Sequence, residues 1–176
     1  MIKICGIKDL ATAEKCIELG ADMIGFVAHE TSRRYIAPEN ANAIAAAVCG
    51  RVKTSVVGFT LAECGGYKTD YIQAHDANTA ENHILSGHGM PTGIFRYFLF
   101  DKSSGRGETC EYPEWISGFR DRLILAGGLT PENVGDVIRR YRPFGVDVSS
   151  GVETDSVKDI NKIAEFIKNA EDAYKE

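Results

Sequence analysis

The sequence lacks the features of membrane proteins, disulfide-bonded scaffolds and metal knuckles. No stretch approaches the ~20 consecutive apolar residues that a spanning helix requires. The opening residues, MIKICGIKDL, have no long hydrophobic core of the kind found in signal peptides. The five cysteines are an odd number and include neither a Cys-x-x-Cys pair nor a zinc-like Cys/His spacing. We therefore expect a cytoplasmic protein without structural disulfides, bound metal or a membrane partner.

Concentrated positive charge is also missing. The chain has 20 Lys and Arg residues against 25 Asp and Glu, a formal net charge of −5, and the basic residues are scattered. Nucleic-acid-binding surfaces need a positive patch, so nucleic acid is not an expected partner. Hydrophobic residues make up 44% of the 176 positions, which is enough for the core of one domain over residues 1–176.

Short apolar strands alternate with amphipathic helices along the chain. Strands are predicted over 2–5, 23–28, 52–60, 70–74, 123–126 and 145–148. Helices are predicted after Asp9, from Pro38, from Thr130-Pro131-Glu132, and over the segment that carries Ile160 and Phe166. This alternation predicts a parallel sheet with helices outside, and its repetition predicts a (β/α)8 barrel, the TIM barrel.

Two segments near the C-terminal end combine a strand end with small residues. They are LAGGL at 125–129 and GVDVSSGVE at 145–153. Each can direct several backbone N–H groups at one anion, and (β/α)8 barrels commonly bind phosphate after the seventh and eighth strands. For the first segment alone, a plain glycine-rich turn is about as good an explanation as a phosphate site. For the two segments together, a phosphate site is the better explanation. We predict a small phosphorylated substrate whose phosphate is held by Gly127, Gly128, Ser149, Ser150 and Gly151.

Several motifs in order along the chain carry a family resemblance. They are KICGI, ADMIGFV, SRRYI, the aspartate that ends YFLFD, LILAGGLTPENV and GVDVSSGVE. Together they resemble phosphoribosylanthranilate isomerases, the TrpF enzymes of tryptophan biosynthesis, over roughly residues 1–60 and 97–168. The resemblance implies an Amadori rearrangement that converts N-(5′-phosphoribosyl)anthranilate to 1-(2-carboxyphenylamino)-1-deoxyribulose 5-phosphate without a cofactor.

The same resemblance implies the two catalytic residues. Cys5 corresponds to the general base that removes the C2′ proton, and Asp101 to the general acid that protonates the ring oxygen. A thiol is a useful base only where its surroundings favour the thiolate. Without the resemblance, Cys5 would be interpreted as a buried strand cysteine and Asp101 as a turn former.

Three further residues are implied as substrate contacts. Arg34 in SRRYI corresponds to an arginine suited to pair with the anthranilate carboxylate. Asp147 lies in the last strand and could contact substrate hydroxyl or amine groups. His75 lies in QAHD, where the family has QLHG, and a strand-end histidine in water explains it equally well. The glycine-rich segment KSSGRGETCEYPEW after Asp101 resembles the family's sixth loop and suggests a lid.

The middle of the chain departs from the family pattern. Only LAECGGYK separates the third and fourth strands, so the third helix is expected to be shortened or absent. Parallel neighbours normally need crossovers of about a dozen residues, and the segment between Asp76 and Asp101 is too short for two. We expect a barrel that is shortened or incomplete around helix 3 and around strand 5 and helix 5, or a chain from which segments are missing. Dimerisation could cover the open edges, so monomer and homodimer both remain open.

Two other function classes also remain open. Another phosphate-binding barrel enzyme, such as a sugar-phosphate epimerase or a histidine-pathway isomerase, would require a metal-binding His/Asp set or paired aspartates at strand ends. Neither is evident in the sequence. A weakly active or inactive descendant of the isomerase would bind phosphate without turnover.

Overall fold

A closed barrel of eight parallel strands forms the centre of the protein. The computed structural model describes residues 1–101 and 112–176. The strands follow chain order around the barrel: β1 (Ile2–Cys5), β2 (Met23–Val27), β3 (Lys53–Val57), β4 (Tyr71–Ala74), β5 (His83–Gly87), β6 (Tyr97–Phe100), β7 (Leu123–Leu125) and β8 (Gly145–Val148). β8 closes on β1 in a register that places Lys3 beside Asp147. The predicted TIM-barrel fold is confirmed.

Helices cover only part of the barrel wall. They are α1 (Leu10–Glu18) after β1, α2 (Pro38–Ala47) after β2, α3 (Val134–Tyr141) after β7 and α4 (Ile160–Lys175) after β8. A 3₁₀ segment, Glu114–Arg122, precedes β7, and a hairpin of β9 (Glu153–Thr154) and β10 (Val157–Lys158) precedes α4. No helix lies between β3 and β6, all of which is described, so the third helix is absent as expected. None of the helices in the described ranges is long and apolar enough to cross a membrane.

The shortened middle has lost helices but kept its strands. β5 was not predicted from the sequence, yet it pairs in parallel with both β4 and β6. The expected shortening is therefore confirmed for the helices, whereas strand 5 is present and the expected open edges are not found. Strands of four or five residues rise only ~13–17 Å, and links such as 75–82 and 88–96 can each span ~26–30 Å when extended. The chain thus returns to the start of the next strand without a helix.

The two links replace the missing helices as an outer cover. The N–H of Ile94 donates to the carbonyl of Asn78 over 2.7 Å, and a parallel bridge joins Thr79 to Ile94.

The glycine-rich segment predicted as a lid falls largely on 102–111, outside the described residues.

Side chains alternate across the barrel wall, as the period of two in a strand requires. Outward-facing Ile4, Phe26 and Val146 pack in the large core cluster beneath the helices. Inward-facing Met23 and Leu99 belong to a separate apolar cluster inside the barrel. Other buried inward positions are polar, namely Lys3, Ser55, Gln73, Ser86 and Asp147. The barrel interior is therefore not simply a packed hydrophobic core.

Glu153 joins the loop after β2 to the hairpin after β8. Its carboxylate accepts two hydrogen bonds from Arg34, at 2.7 and 2.8 Å, one from Arg33 at 2.9 Å and one from Lys158 at 2.8 Å. Only 5% of the Glu153 side chain is exposed. Burial raises the pKa of this carboxyl, but the hydrogen bonds from Arg34 and Lys158 outweigh that effect and hold the pKa at about 2.

Replacing Glu153 should destabilise the protein in a pH-dependent way. The carboxylate stabilises the fold fully above the unfolded-state pKa of about 4.3, and this contribution is lost as the pH falls toward the folded-state pKa. We expect Glu153→Gln to lower the free energy of unfolding by about 2–3 kcal/mol near neutral pH. The difference from the parent should shrink between about pH 5 and about pH 2. Urea denaturation at several pH values measures it.

Glu14→Gln is the matched control, because Glu14 pairs with Arg51 where both side chains are partly exposed. Solvent screens such pairs, so little change in stability is expected. A Glu153→Gln loss that is equally large at neutral and acidic pH would contradict the assigned charge network.

Candidate active site

The ten predicted site residues all lie at or after the C-terminal ends of barrel strands. This is the end at which (β/α)8 barrels carry out chemistry. The residues are Cys5 in β1, Arg34 after β2, His75 after β4, Asp101 after β6, Gly127 and Gly128 after β7, Asp147 in β8, and Ser149, Ser150 and Gly151 after β8. Closure of the barrel therefore brings the two ends of the chain to one site.

Two cavities share Arg34, Asp101, Asp147 and Ser149 in their walls. The larger, of about 220 Å³, also contacts Cys5 and His75. The smaller, of about 70 Å³, is bordered in addition by Gly127, Gly128 and Ser150. Gly151 lines neither cavity. The arrangement resembles a site for an elongated ligand with one compact end.

Cys5 lies at the top of β1 and is buried, with 6% of the residue exposed. Burial raises the pKa of its thiol, whereas the positive charges of Lys3 and Lys158 oppose that increase. The next residue, Gly6, has φ of +84°, and a Cβ there would lie 2.6 Å from Cδ of Arg34. Glycine at this position therefore allows the arginine to cross the end of β1.

Lys3 lies buried beneath the site and was not identified from the sequence. It is fully buried, and its Nζ donates to Oδ1 of Asp147 over 2.8 Å. Burial lowers the pKa of Lys3, but the charges of Asp147 and Cys5 outweigh burial and leave the pKa above its ordinary value. A charged residue in the otherwise apolar strand IKIC was the available signal.

Arg34 presents one edge of its guanidinium to a ligand. Nε and Nη2 are both engaged by Glu153. Within the ranges 1–101 and 112–176, Nη1 donates to no protein acceptor. The hydrogen bonds to Glu153 raise the pKa of Arg34 and fix the plane of the group. The N–H groups of the remaining edge can donate hydrogen bonds to a carboxylate.

An aromatic wall forms one side of the larger cavity. Phe59, which is 50% exposed, stacks on His75 with ring centroids 5.9 Å apart and contacts His29 edge-on at 4.4 Å. Nδ1 of His75 lies 3.0 Å from the carbonyl oxygen of Ser86. The sequence analysis did not identify Phe59 or His29, because their role depends on contacts between three different loops.

Two buried polar atoms in this cavity wall are unsatisfied. Oε1 of Gln73 and Oγ of Ser86 have no hydrogen-bond partner in the described parts of the chain. Both residues border the larger cavity. Buried polar atoms are normally paired, so these two are candidates for contact with a polar ligand.

The loops after β7 and β8 present unpaired backbone donors. The N–H groups of Gly127, Gly128, Ser149 and Ser150 donate to no acceptor among the described residues. Gly127 and Gly128 have φ of +87° and +67°, in the left-handed region that favours glycine. A Cβ on Gly151 would collide with the carbonyl oxygen of Leu129, so the two loops are in direct contact.

Asn133 fixes the first of these loops. Its Oδ1 accepts the N–H of Thr130 at 2.9 Å, and its Nδ2 donates to the carbonyl of Gly128 at 2.8 Å. The helix α3 therefore begins at Val134 rather than at the Thr130-Pro131-Glu132 start predicted from the sequence.

In the described ranges, no group of His, Cys, Asp and Glu side chains could hold a metal ion.

Comparison with known proteins gives a consistent family. A family model described as N-(5′-phosphoribosyl)anthranilate (PRA) isomerase matches residues 92–169. The N-(5′-phosphoribosyl)anthranilate isomerase of Pseudomonas fluorescens is 34% identical, over 94% of this chain and 95% of that protein. The enzyme of the same name from Bacillus anthracis is 32% identical over 99% of both.

Solved structures agree with the sequence relatives. Phosphoribosyl anthranilate isomerase from Thermotoga maritima superposes with a TM-score of 0.77 at 31% identity, covering 97% of this chain and 98% of that one. A phosphoribosyl anthranilate isomerase in complex with reduced 1-(o-carboxyphenylamino)-1-deoxyribulose 5-phosphate superposes with a TM-score of 0.75 at 32% identity, with the same coverage. On this full-length similarity in sequence and fold, the chain belongs to the N-(5′-phosphoribosyl)anthranilate isomerase family.

Proposed function

We propose that this chain isomerises N-(5′-phosphoribosyl)anthranilate in tryptophan biosynthesis, with Cys5 as general base and Asp101 as general acid. The family supplies the reaction. One observation carries the residue assignment: a thiol at the end of β1 and a carboxyl after β6 border the same cavity of about 220 Å³. The two strands are three places apart around the closed barrel, so a sugar between them meets the two groups from different sides.

The chemistry requires two proton transfers at neighbouring atoms. The Asp101 carboxyl gives a proton to the ribose ring oxygen as the C1′–O bond breaks, and C1′ becomes double-bonded to the anthranilate nitrogen. The Cys5 thiolate then removes the C2′ proton, and the freed electron pair forms a C1′=C2′ bond while the π pair of the C1′=N bond returns to nitrogen. The resulting enol becomes the ketone as its oxygen loses a proton and C1′ gains one. Substrate and product are isomers, so no oxidant, reductant or cofactor is consumed.

The larger cavity supplies contacts for the rest of the substrate. The free edge of Arg34 suits the anthranilate carboxylate, and Phe59, supported by His75, offers an aromatic face to the benzene ring. Asp147 and the unsatisfied atoms of Gln73 and Ser86 are available for sugar hydroxyls and the substrate amine.

The smaller cavity is the proposed phosphate site. The backbone donors of Gly127, Gly128, Ser149 and Ser150 surround it, and oriented N–H groups bind phosphate without a basic side chain. Gly151 holds the two loops together rather than lining the cavity.

We further infer one cytoplasmic barrel domain over residues 1–176, in keeping with the biosynthetic role of the family. One solved relative, from Thermotoga maritima, is described as dimeric. The closed barrel removes open strand edges as a reason for this chain to dimerise. Monomer and homodimer are distinguished by light scattering of the purified protein.

Removing either catalytic group should abolish turnover while sparing binding. We expect Cys5→Ser and Asp101→Asn each to lower kcat by about 10²–10⁴-fold, the usual contribution of a positioned acid or base. The rate of isomerisation of N-(5′-phosphoribosyl)anthranilate gives kcat. Calorimetry with reduced 1-(o-carboxyphenylamino)-1-deoxyribulose 5-phosphate, the ligand of a solved relative, measures binding. Cys49→Ser, at an exposed cysteine, is the matched control and should remain fully active. Parent-like turnover in Cys5→Ser would rule out the proposed base.

Growth provides a test of the overall activity. Expression in a tryptophan auxotroph that lacks this isomerase should restore growth without tryptophan. A folded, phosphate-binding protein that fails to do so would instead be an inactive descendant.

The rate should rise with pH. Burial raises the pKa of Cys5 above its ordinary value, so the thiolate fraction is small at neutral pH and grows as the solution becomes alkaline. We expect kcat/KM to increase by up to about tenfold per pH unit below the thiol pKa. The comparison is made with Cys5→Ser, in which this dependence should disappear. An increase retained in Cys5→Ser would assign it to another group.

Gly151→Ala should weaken substrate binding through the phosphate. The added methyl collides with the Leu129 carbonyl and must separate the two loops that carry the donors. We expect KM to rise by about tenfold or more, as for the loss of one charge-assisted hydrogen bond. Gly118→Ala is the matched control, because a Cβ at Gly118 meets nothing within 4 Å. Equal KM values in the two variants would contradict the assignment of the phosphate site to these loops.

A further inference from the structure

Lys3 carries a buried charge for which the chemistry above has no use. It lies two residues before Cys5 on β1, so both side chains point into the barrel. Its side chain is fully buried and its Nζ lies 2.8 Å from Oδ1 of Asp147. Asp147 is on β8, directly beside Lys3 in the β1–β8 ladder.

Gly25 brings the ammonium and the thiol to the same space. It pairs with Cys5 across the β1–β2 ladder. A Cβ built on Gly25 would lie 2.9 Å from Sγ of Cys5 and 3.3 Å from Nζ of Lys3. Both polar atoms therefore occupy the room that the missing side chain leaves. Glycine inside a strand often marks such a close approach.

Stability alone does not explain this arrangement. Moving an ammonium and a carboxylate out of water costs several kcal/mol per ion, and well-packed apolar residues often replace a buried pair without loss. A thiolate in a buried site, by contrast, needs a cation close by. Lys3 is placed to provide one.

We propose that Lys3 is the positioning residue for Cys5: its ammonium, anchored on Asp147, is the counter-charge of the Cys5 thiolate. This inference rests on the proposed role of Cys5 as the base. One ammonium then serves two anions, Asp147 and the sulfur. A substrate hydroxyl or amine that engages Asp147 weakens its hold on Lys3, so binding itself favours the thiolate.

Other charged groups also act on the thiol. Lys158 on β10 and Arg34 after β2 are close enough to influence it, and both interact with Glu153. Among the described residues, the remaining titratable side chains that line the larger cavity are His29, His75 and Asp101. A test must therefore alter the Lys3–Asp147 pair while these groups stay in place.

The test is a titration of the Cys5 thiolate by its ultraviolet absorbance. Each protein is measured against its own Cys5→Ser counterpart, so the other cysteines cancel. We expect Lys3→Met to reduce the thiolate at a given pH by about tenfold or more, which corresponds to at least one pKa unit. Lys3→Arg, which keeps the charge, should restore most of it. Asp147→Asn should have the opposite effect and increase the thiolate, because Lys3 is then available to sulfur alone.

The direction of the change in the thiolate fraction separates this proposal from a purely structural role of Lys3. Loosened packing around Cys5 would relieve burial and increase the thiolate in every variant. An increase in Lys3→Met, or no increase in Asp147→Asn, would overturn the proposal. If Lys3→Met does not fold, the Asp147→Asn and Lys3→Arg titrations still decide. Lys53→Met, at an exposed lysine of β3, is the matched control and should leave the titration unchanged.

These results are independent of turnover. Parent-like activity in Cys5→Ser would refute the proposed base, whatever the titrations show. An unchanged thiolate in Lys3→Met would refute the role of Lys3 and leave the base assignment untouched.

Discussion

Pairing of β8 with β1 is the constraint on which the site depends. It places residues 2–4 beside residues 146–148 and creates the buried contact of Lys3 with Asp147. The hydroxyl of Ser149 donates to the carbonyl of Cys5 at 3.1 Å, so the loop proposed to bind phosphate is attached to the strand that carries the thiol. Without this pairing, the sulfur of the proposed base and the N–H groups of the proposed phosphate site would belong to separate ends of the chain.

Helices do not surround the barrel evenly. Helices cover β1, β7 and β8, which carry Cys5 and the loops proposed to bind phosphate, whereas the wall around β4 and β5 has only short links. Short strands make this possible, because a link of eight or nine residues already exceeds the length it must cross. This side, covered by the two links rather than by helices, still contributes Gln73, His75 and Ser86 to the wall of the larger cavity.

The sequence could predict what depends on local pattern. Apolar strands bounded by glycine or by helix caps identified β1, β2, β7 and β8, and with them the loops that carry most of the predicted site. β5 was missed because the crossover rule assumes a covering helix and because HILSG is short and contains only two apolar side chains, Ile84 and Leu85. Lys3, Gly25 and Glu153 were missed for a different reason. Their importance arises from contacts with residues far along the chain, which no single segment reveals.

The position of the β1–β8 seam has a consequence for synthesis in the cell. Domains begin to form as the chain leaves the ribosome, N-terminal part first. Here one edge of β1 pairs with β2, but its other edge and the charge of Lys3 find their partners only after residues 145–148 have been made. A nascent chain that stops before β8 therefore leaves this strand edge unpaired and the ammonium of Lys3 without its carboxylate partner.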